Sequence, residues 1–228
     1  MVVGTFSVVV IGASGQLGSD IVKILKTKVI PLTHNEIEIT DYNSCKILKD
    51  IKPKIVINCA AYVRVDDCEK YPDKAFLINS IGALNIAKIC NEIDAILVYI
   101  STDYVFDGEI NRPYTEFDEP NPINVYGISK YAGEIFTRNY SKKHYIIRVA
   151  SLYGVKGARG KGGNFVETII EKAKKGEELK VVDDVIMSPT YTKDLATALK
   201  KFIEIKPEYG IYHVVNKGCC SWYEFAKE

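Results

Sequence analysis

The chain has 228 residues, enough for one large domain or one domain with a small appendage. Hydrophobic residues make up 47% and charged residues 26%, close to ordinary soluble proteins. Lys plus Arg is 30 against 29 Asp plus Glu, a balance that argues against a general nucleic-acid or membrane-surface binder, because both need a basic excess.

In chain order, Phe6–Ile11 is a compact apolar run and reads as a first strand; it has no basic flank before it, as a signal peptide would. Residues Gln16–Lys26 have helical spacing through Leu17, Ile21, Ile24 and Leu25, and Val29–Leu32 is a short strand. A helix over Tyr42–Ile51 and a strand at Ile55–Asn58 follow. Pro72–Ile93 reads as one long amphipathic helix with Pro near its start, where a missing N–H matters little. Then come a strand at Ile96–Ile100, a polar loop, a helix over Ile123–Tyr140 and a strand at Tyr145–Val149. Alternating apolar strands and helices predict an α/β fold, a doubly wound parallel sheet covered on both faces.

After Tyr153 the character changes. A basic, glycine-rich loop (GVKGARGKGGN, from Gly154) precedes a helix at Phe165–Lys175, a strand at Leu179–Val182, a helix at Lys193–Ile205 and a strand at Ile211–Val215. This predicts a smaller lobe built onto the sheet, with residues 1–153 as the dinucleotide-binding domain and 154–228 as substrate-lobe elements. Ser221-Trp222-Tyr223-Glu224 fits a capping box opening a helix, yet the sequence ends four residues later, so a truncated chain is expected. No apolar run reaches the ~18 residues of a membrane-spanning helix. None of the six cysteines forms a CxxC pair, and His34, His144 and His213 are scattered, a pattern that does not point to zinc. Reduced cysteines in apolar stretches suit a cytoplasmic setting.

GASGQLG follows the first strand and opens the first helix, with Gly12, Gly15 and Gly18 spaced GxxGxxG. Glycines let the backbone approach a pyrophosphate, and the helix start adds unpaired N–H groups and a positive dipole end. The second strand ends in Leu32-Thr33-His34-Asn35, without the carboxylate that holds the ribose hydroxyls of NAD. That leaves room for a 2′-phosphate, which His34 could favour, so NADPH is expected ahead of NADH.

YxxxK occurs three times, at Tyr42/Lys46, Tyr126/Lys130 and Tyr223/Lys227. Only Tyr126 follows a strand ending in hydroxyls, at Ser101-Thr102-Asp103, and ligands of open α/β sheets bind at such strand ends. The chemistry suits carbonyl reduction. Tyr126 can donate a proton to the oxygen on which charge grows, Lys130 one turn along should lower the phenol's pKa, and Thr102 can donate to the same oxygen.

These motifs resemble the dTDP-4-dehydrorhamnose reductases within the extended short-chain dehydrogenases. The resemblance runs through GASGQLG (Gly12–Gly18), NCAAYVRVDDCE (Asn58–Glu69), STDYVFDG (Ser101–Gly108), NPINVYGISKYAGE (Asn121–Glu134), RVASLYG (Arg148–Gly154), SPTYTKDLA (Ser188–Ala196) and the C-terminal SWYEFA. It implies a Rossmann-type sheet with a smaller C-terminal substrate lobe, and NAD(P)H-dependent reduction of a 4-keto-6-deoxy sugar on dTDP. It implies Thr102, Tyr126 and Lys130 as catalytic residues, Gly12, Gln16 and Leu17 in the phosphate loop, and Ala60 and Ala61 along the cofactor. Glu38-Ile39 stands where family members contact adenine, and Tyr104 and Asn164 where they approach substrate. A homodimer is a further family-level expectation.

The text departs from the family's pattern at Arg148-Val149-Ala150-Ser151, where many members read RTSW and the Trp borders the nucleotide-sugar. Ser151 therefore marks a substrate-facing difference. Two other readings stand beside the reductase. One is a non-catalytic relative like the regulatory subunit of methionine adenosyltransferase, which shares the fold and reads RxPxLYG here; Ser151-Leu152-Tyr153-Gly154 leans toward it. The other is a sugar-nucleotide epimerase or dehydratase, the latter adding an acidic residue beside the catalytic Thr, as Asp103 is.

Overall fold

In a computed structural model, residues 7–26, 29–157 and 163–228 are described. Phe6, expected to open the first strand, and residues 158–162 of the glycine-rich loop lie outside them. The expected α/β architecture is present: six parallel strands in the order β2-β1-β3-β4-β5-β9. These are β1 (Val8–Ile11), β2 (Val29–Leu32), β3 (Ile55–Asn58), β4 (Ile96–Thr102), β5 (His144–Val149) and β9 (Gly210–His213). Successive strand residues face opposite sides, and both sides are apolar, as a sheet covered twice requires. Val8, Val10, Ile57, Val98 and Ile147 pack with Leu17 and Ile21 of α1 (Gln16–Leu25) and with Leu195 and Leu199 of α9 (Thr192–Ile205). Val9, Ile11, Val56 and Leu97 pack on the other face with Leu48 of α3 (Ile47–Ile51) and Ile86 and Ile89 of α6 (Gly82–Glu92).

Several expected elements change. The helix over Tyr42–Ile51 divides into α2 (Tyr42–Cys45) and α3. Pro72–Ile93 is realised as α5 (Pro72–Phe76), a π-helical turn (Leu77–Ile81) and α6, with one wide turn inserted where Asn79 meets the site. Gly82 follows it because a Cβ there would stand 2.6 Å from Ile39 Cδ1. The strand expected at Leu179–Val182 does not form a ladder; the Tyr223 N–H donates to the Val182 carbonyl (3.0 Å), and the nearby pairing is β7 (Ile186–Met187) against β10 (Cys220–Ser221).

The elements expected at Lys193–Ile205 and Ile211–Val215 belong to the main layers, not to a smaller lobe. β9 pairs with β5 because Ile211 packs beside Tyr99 and Ile146 on one face while Tyr212 packs on the other. Outside the sheet, β6 (Leu152–Tyr153) pairs with β8 (Thr190–Tyr191), and α8 (Phe165–Lys174) lies near α10 (Trp222–Lys227) through the Phe165, Trp222 and Phe225 rings. The capping box is present: the Glu224 N–H donates to Ser221 Oγ (3.0 Å) and the Ser221 N–H to Glu224 Oε2 (2.8 Å). Among the described residues no helix is long and apolar enough to cross a membrane.

Candidate active site

The strand order reverses between β1 and β3, and the crevice there is where ligands of such sheets bind. Gly12 leaves β1 at φ +75°, a conformation that L side chains rarely adopt, and a Cβ on it would stand 2.9 Å from the Ala60 amide nitrogen. A Cβ on Gly18 would overlap the Gly12 carbonyl oxygen. Gly15 is the N-cap of α1 and supplies no side-chain cap, which leaves first-turn amides open to an anion. Gln16 is buried at that helix start, and its Nε2 has no partner among the described residues. Leu17 turns its side chain into the core, so only its backbone serves the loop. A cradle that a Cβ would fill, plus a buried donor without an acceptor, fits a pyrophosphate. Gly18→Ala is therefore expected to weaken dinucleotide binding about tenfold or more, because overpacking by one methyl costs about 1–3 kcal/mol and here would displace the loop that holds the pyrophosphate; calorimetric titration with NADPH measures it, and wild-type affinity would show that the loop yields.

Ile11, Gly12, Thr33, His34, Ile37, Ile39 and Ala60 line a small cleft beside this loop. Ala61 follows Ala60 in the irregular segment after β3. Glu38 was expected to accept from an adenine amino group, but its carboxylate is engaged. Oε1 accepts from the Thr40 N–H (3.0 Å) and hydroxyl (2.9 Å), and Oε2 lies 3.4 Å from His34 Nδ1. The Thr40 N–H holds this carboxyl below its ordinary pKa. Ile39, by contrast, is buried in the cleft wall.

β4 runs two residues beyond its expected end and carries Ser101 and Thr102 in register with Arg148 and Val149 of β5. Helix α7 (Val125–Tyr140) sets Tyr126 beside Thr102, whose hydroxyl acts to lower the phenol's pKa. The helix start is fixed twice: Asn124 Oδ1 accepts from the Gly127 N–H and Glu69 Oε1 from the Val125 N–H, each at 2.8 Å. Gly127 has no side chain because a Cβ would overlap the Tyr104 carbonyl.

Burial pushes the Tyr126 phenol well up, the Thr102 hydroxyl opposes this, and Asp103 and Tyr104 add to it. The lowering expected from Lys130 is not what dominates, because Lys130 turns elsewhere. Its ammonium donates to the Ile100 carbonyl (2.6 Å) and lies over the Tyr99 ring (4.2 Å to the centroid). Burial brings Lys130 down to about 7, against the pull of the Glu134 carboxylate. Thr102 also donates to Asp103 Oδ1 (3.0 Å), and burial raises that carboxyl to about 6. In the other two YxxxK pairs the Lys folds over its own Tyr, at 5.7 Å in Tyr42/Lys46 and 5.6 Å in Tyr223/Lys227.

Beneath this site lies a network the sequence reading missed. Arg148 meets Glu134 with both ends of its fork, Nε to Oε1 (3.0 Å) and Nη2 to Oε2 (2.7 Å), each residue about 3% exposed in its side chain, and Ser101 donates to the same carboxylate. Glu134 stands one helical turn past Lys130, a signal the sequence held.

The three substrate-facing expectations fall in different surroundings. Tyr104 is in contact with the site, its ring edge-on to Tyr126 at 5.5 Å. Ser151 follows β5 at φ +44°, a strained conformation for a non-glycine residue, and its carbonyl accepts from the Thr190 N–H (3.3 Å). Asn164 is buried as the N-cap of α8; it accepts from the Glu167 N–H (3.0 Å) and donates to the Gly154 carbonyl (2.6 Å), so its side chain serves local structure.

Comparison with known proteins agrees with this geometry. The family model described as RmlD substrate binding domain matches residues 6–228. The spore coat polysaccharide biosynthesis protein SpsK of Bacillus subtilis (strain 168) is 48% identical over 96% of this chain and 76% of its own length. The dTDP-4-dehydrorhamnose reductase of Escherichia coli (strain K12) is 35% identical over 96% of this chain and 76% of its own. The crystal structure of dTDP-4-dehydrorhamnose reductase from Bacillus anthracis, in complex with NADP, superposes with a TM-score of 0.90 at 44% identity, covering 97% of this chain and 78% of that one. The chain belongs to the dTDP-4-dehydrorhamnose reductase family, within the extended short-chain dehydrogenases.

Proposed function

We propose that this chain reduces the 4-keto group of a dTDP-4-dehydro-6-deoxy sugar, converting dTDP-4-dehydrorhamnose to dTDP-rhamnose, with NADPH as donor and NADH as the second candidate. The observation that carries the reading is the meeting of Thr102 and Tyr126 at the carboxyl end of β4, with Lys130 buried one turn behind. Relatives named as dTDP-4-dehydrorhamnose reductases, one in complex with NADP, support it.

Gly12, Gly15, Gly18 and Gln16, with the backbone of Leu17, would hold the pyrophosphate; His34, Ile39 and Ala60 would border the adenosine end, and Ala61 would continue along the cofactor. When bound, the reduced nicotinamide supplies the hydride that forms the new C–H bond at the keto carbon. Tyr126, kept protonated by its burial, gives its proton to the oxygen that gains charge. The Thr102 hydroxyl donates to the same oxygen. The product gains one hydride on carbon and one proton on oxygen, and the Tyr126 phenolate recovers its proton from solvent. Lys130 keeps one N–H on Ile100 and has two further donors for a ligand.

In this reading residues 1–153 carry the dinucleotide and the catalytic helix, with Tyr104 and Ser151 facing the sugar nucleotide, and the part of residues 154–228 outside the main sheet layers contributes the substrate lobe, in which Asn164 shapes the wall. Six free cysteines accord with a reducing, cytoplasmic setting. A homodimer is the assembly expected from the family resemblance.

The direct test follows the absorbance of reduced nicotinamide with dTDP-4-keto-6-deoxy sugar generated in place. Substrate-dependent loss of NADPH, faster than of NADH, is expected; no loss with either, while NADPH still binds, would sink the proposal. Thr102→Val should lower kcat by about a hundredfold, as for one missing oxyanion donor, with dinucleotide affinity kept. Full activity in that variant would remove Thr102 from the mechanism.

A further inference from the structure

Lys130 is an ammonium with almost no water around it. It is 2% exposed, and its surroundings supply no carboxylate dedicated to it. Glu134 lies one turn along the same helix, but both of its oxygens are held by Arg148, and Ser101 adds a third donor. Burial of a cation without a free counter-ion favours its neutral form. What lies directly under the ammonium is the face of Tyr99, 4.2 Å from Nζ to the ring centroid.

Tyr99 is itself fixed. It is 1% exposed in the middle of β4, and its hydroxyl lies 3.1 Å from the Asn79 carbonyl and 3.3 Å from the Lys130 carbonyl, both acceptors. Asn79 stands in the π-helical turn and is locked by its side chain, which donates to Ser129 Oγ and the Tyr62 carbonyl and accepts from the Tyr62 N–H. Gly133 leaves the space for the phenol, since a Cβ there would overlap Tyr99 Oη. The wide turn, the glycine and the tyrosine together place one aromatic face under one ammonium.

We propose that Tyr99 is a positioning residue, a π platform that holds the Lys130 ammonium in place and in its charged form. The inference rests on the reductase reading for its catalytic consequence, but the hold on the proton is a property of the free protein. It also separates this Tyr-x-x-x-Lys pair from the other two, where the lysine covers its own tyrosine. With Lys130 drawn onto Tyr99, the Tyr126 hydroxyl is left to Thr102 and the substrate.

The groups that face Lys130 are Glu134 on its own helix, the Cys59 thiol on the segment after β3, and Tyr99 on β4; Arg148 on β5 acts through Glu134. Glu134, the ring and the Ile100 carbonyl that accepts from Nζ (2.6 Å) favour the ammonium, while burial opposes it. Removing the ring therefore lowers the pKa, and the charged fraction is lost at a lower pH.

The test follows the titration of Lys130 by NMR in protein labelled at lysine Cε, with Lys130→Met assigning the resonance. Tyr99→Phe keeps the ring and should titrate close to wild type. Tyr99→Leu should titrate about one pH unit lower, as a desolvated cation–π contact predicts. A fully fluorinated phenylalanine at position 99 keeps the shape and strips electron density from the ring face, so it serves if the leucine variant does not fold; the same downward shift is expected. An unchanged Lys130 titration in either folded variant overturns the inference. NADPH oxidation by the wild type with no Lys130 shift in the variants would leave the reductase reading standing and remove Tyr99 from it. A Lys130 shift in a protein that oxidises no NADPH would do the reverse.

Discussion

Tyr126→Phe is expected to lower turnover by roughly two to four orders of magnitude, with NADPH affinity close to wild type. The phenol stands beside the Thr102 hydroxyl, and its burial keeps it protonated across the working pH range. The ring fills the same volume without its oxygen, and the edge-on contact with Tyr104 depends on the ring alone. The loss should therefore appear in kcat and not in the melting temperature. A folded Tyr126→Phe protein that turns over at the wild-type rate would require another proton donor, and Asp103, raised to about 6, would be the first group to examine.

Arg148→Ala should destabilise the fold by about 3–5 kcal/mol, the usual result of leaving one partner of a buried ion pair alone. The Glu134 carboxylate, 2% exposed, would be left with the Ser101 hydroxyl and with Lys130 one turn away to answer it. The Arg148 guanidinium also lies over the Phe106 ring at 5.0 Å, so packing is lost with the charge. Urea unfolding measures the change through the midpoint. The double variant Arg148→Met with Glu134→Gln, which removes both charges at similar volume, should recover much of the loss. A single Arg148→Ala variant within about 1 kcal/mol of wild type would mean that the pair is dispensable.

The parallel sheet and the phosphate loop were legible because each is written locally. Short apolar runs alternate with helical ones, and three glycines stand between the first strand and the first helix. That Tyr126 comes to lie beside Thr102 at the end of β4 was also legible, through the hydroxyls that close that strand. What escaped depends on distant partners. An amphipathic pattern from Pro72 to Ile93 does not register the one wide turn at Leu77–Ile81, whose reason is the meeting of Asn79 with Tyr62, Tyr99 and Ser129. The strand pattern at Leu179–Val182 reads well in isolation, yet a ladder needs a neighbour. Gly210–His213 reads as part of a later lobe until β5 is seen beside it.

The site shows the same division. Residue types gave Tyr126, Lys130 and Thr102, but the direction of the Lys130 side chain comes from Tyr99, 31 positions away in sequence. The expectation that Lys130 would govern the Tyr126 phenol assumed that the two side chains on one helix face would meet. A carbonyl and an aromatic face on β4 hold the ammonium instead. Glu38 shows the same dependence: its carboxylate already meets Thr40 and His34, partners that the Glu-Ile text alone does not display.

In the proposed reaction a hydride goes from the nicotinamide to carbon 4 of a dTDP-linked keto sugar. Incubation with NADPH carrying deuterium at the transferable position, followed by mass and NMR analysis of the sugar nucleotide, measures that transfer itself. One deuterium at carbon 4 of a 4-hydroxy product, matched by one oxidised cofactor per product, is the expected result. A product without deuterium, or one formed without net oxidation of the cofactor, would contradict the claim and indicate the self-recycled cofactor of an epimerase or dehydratase.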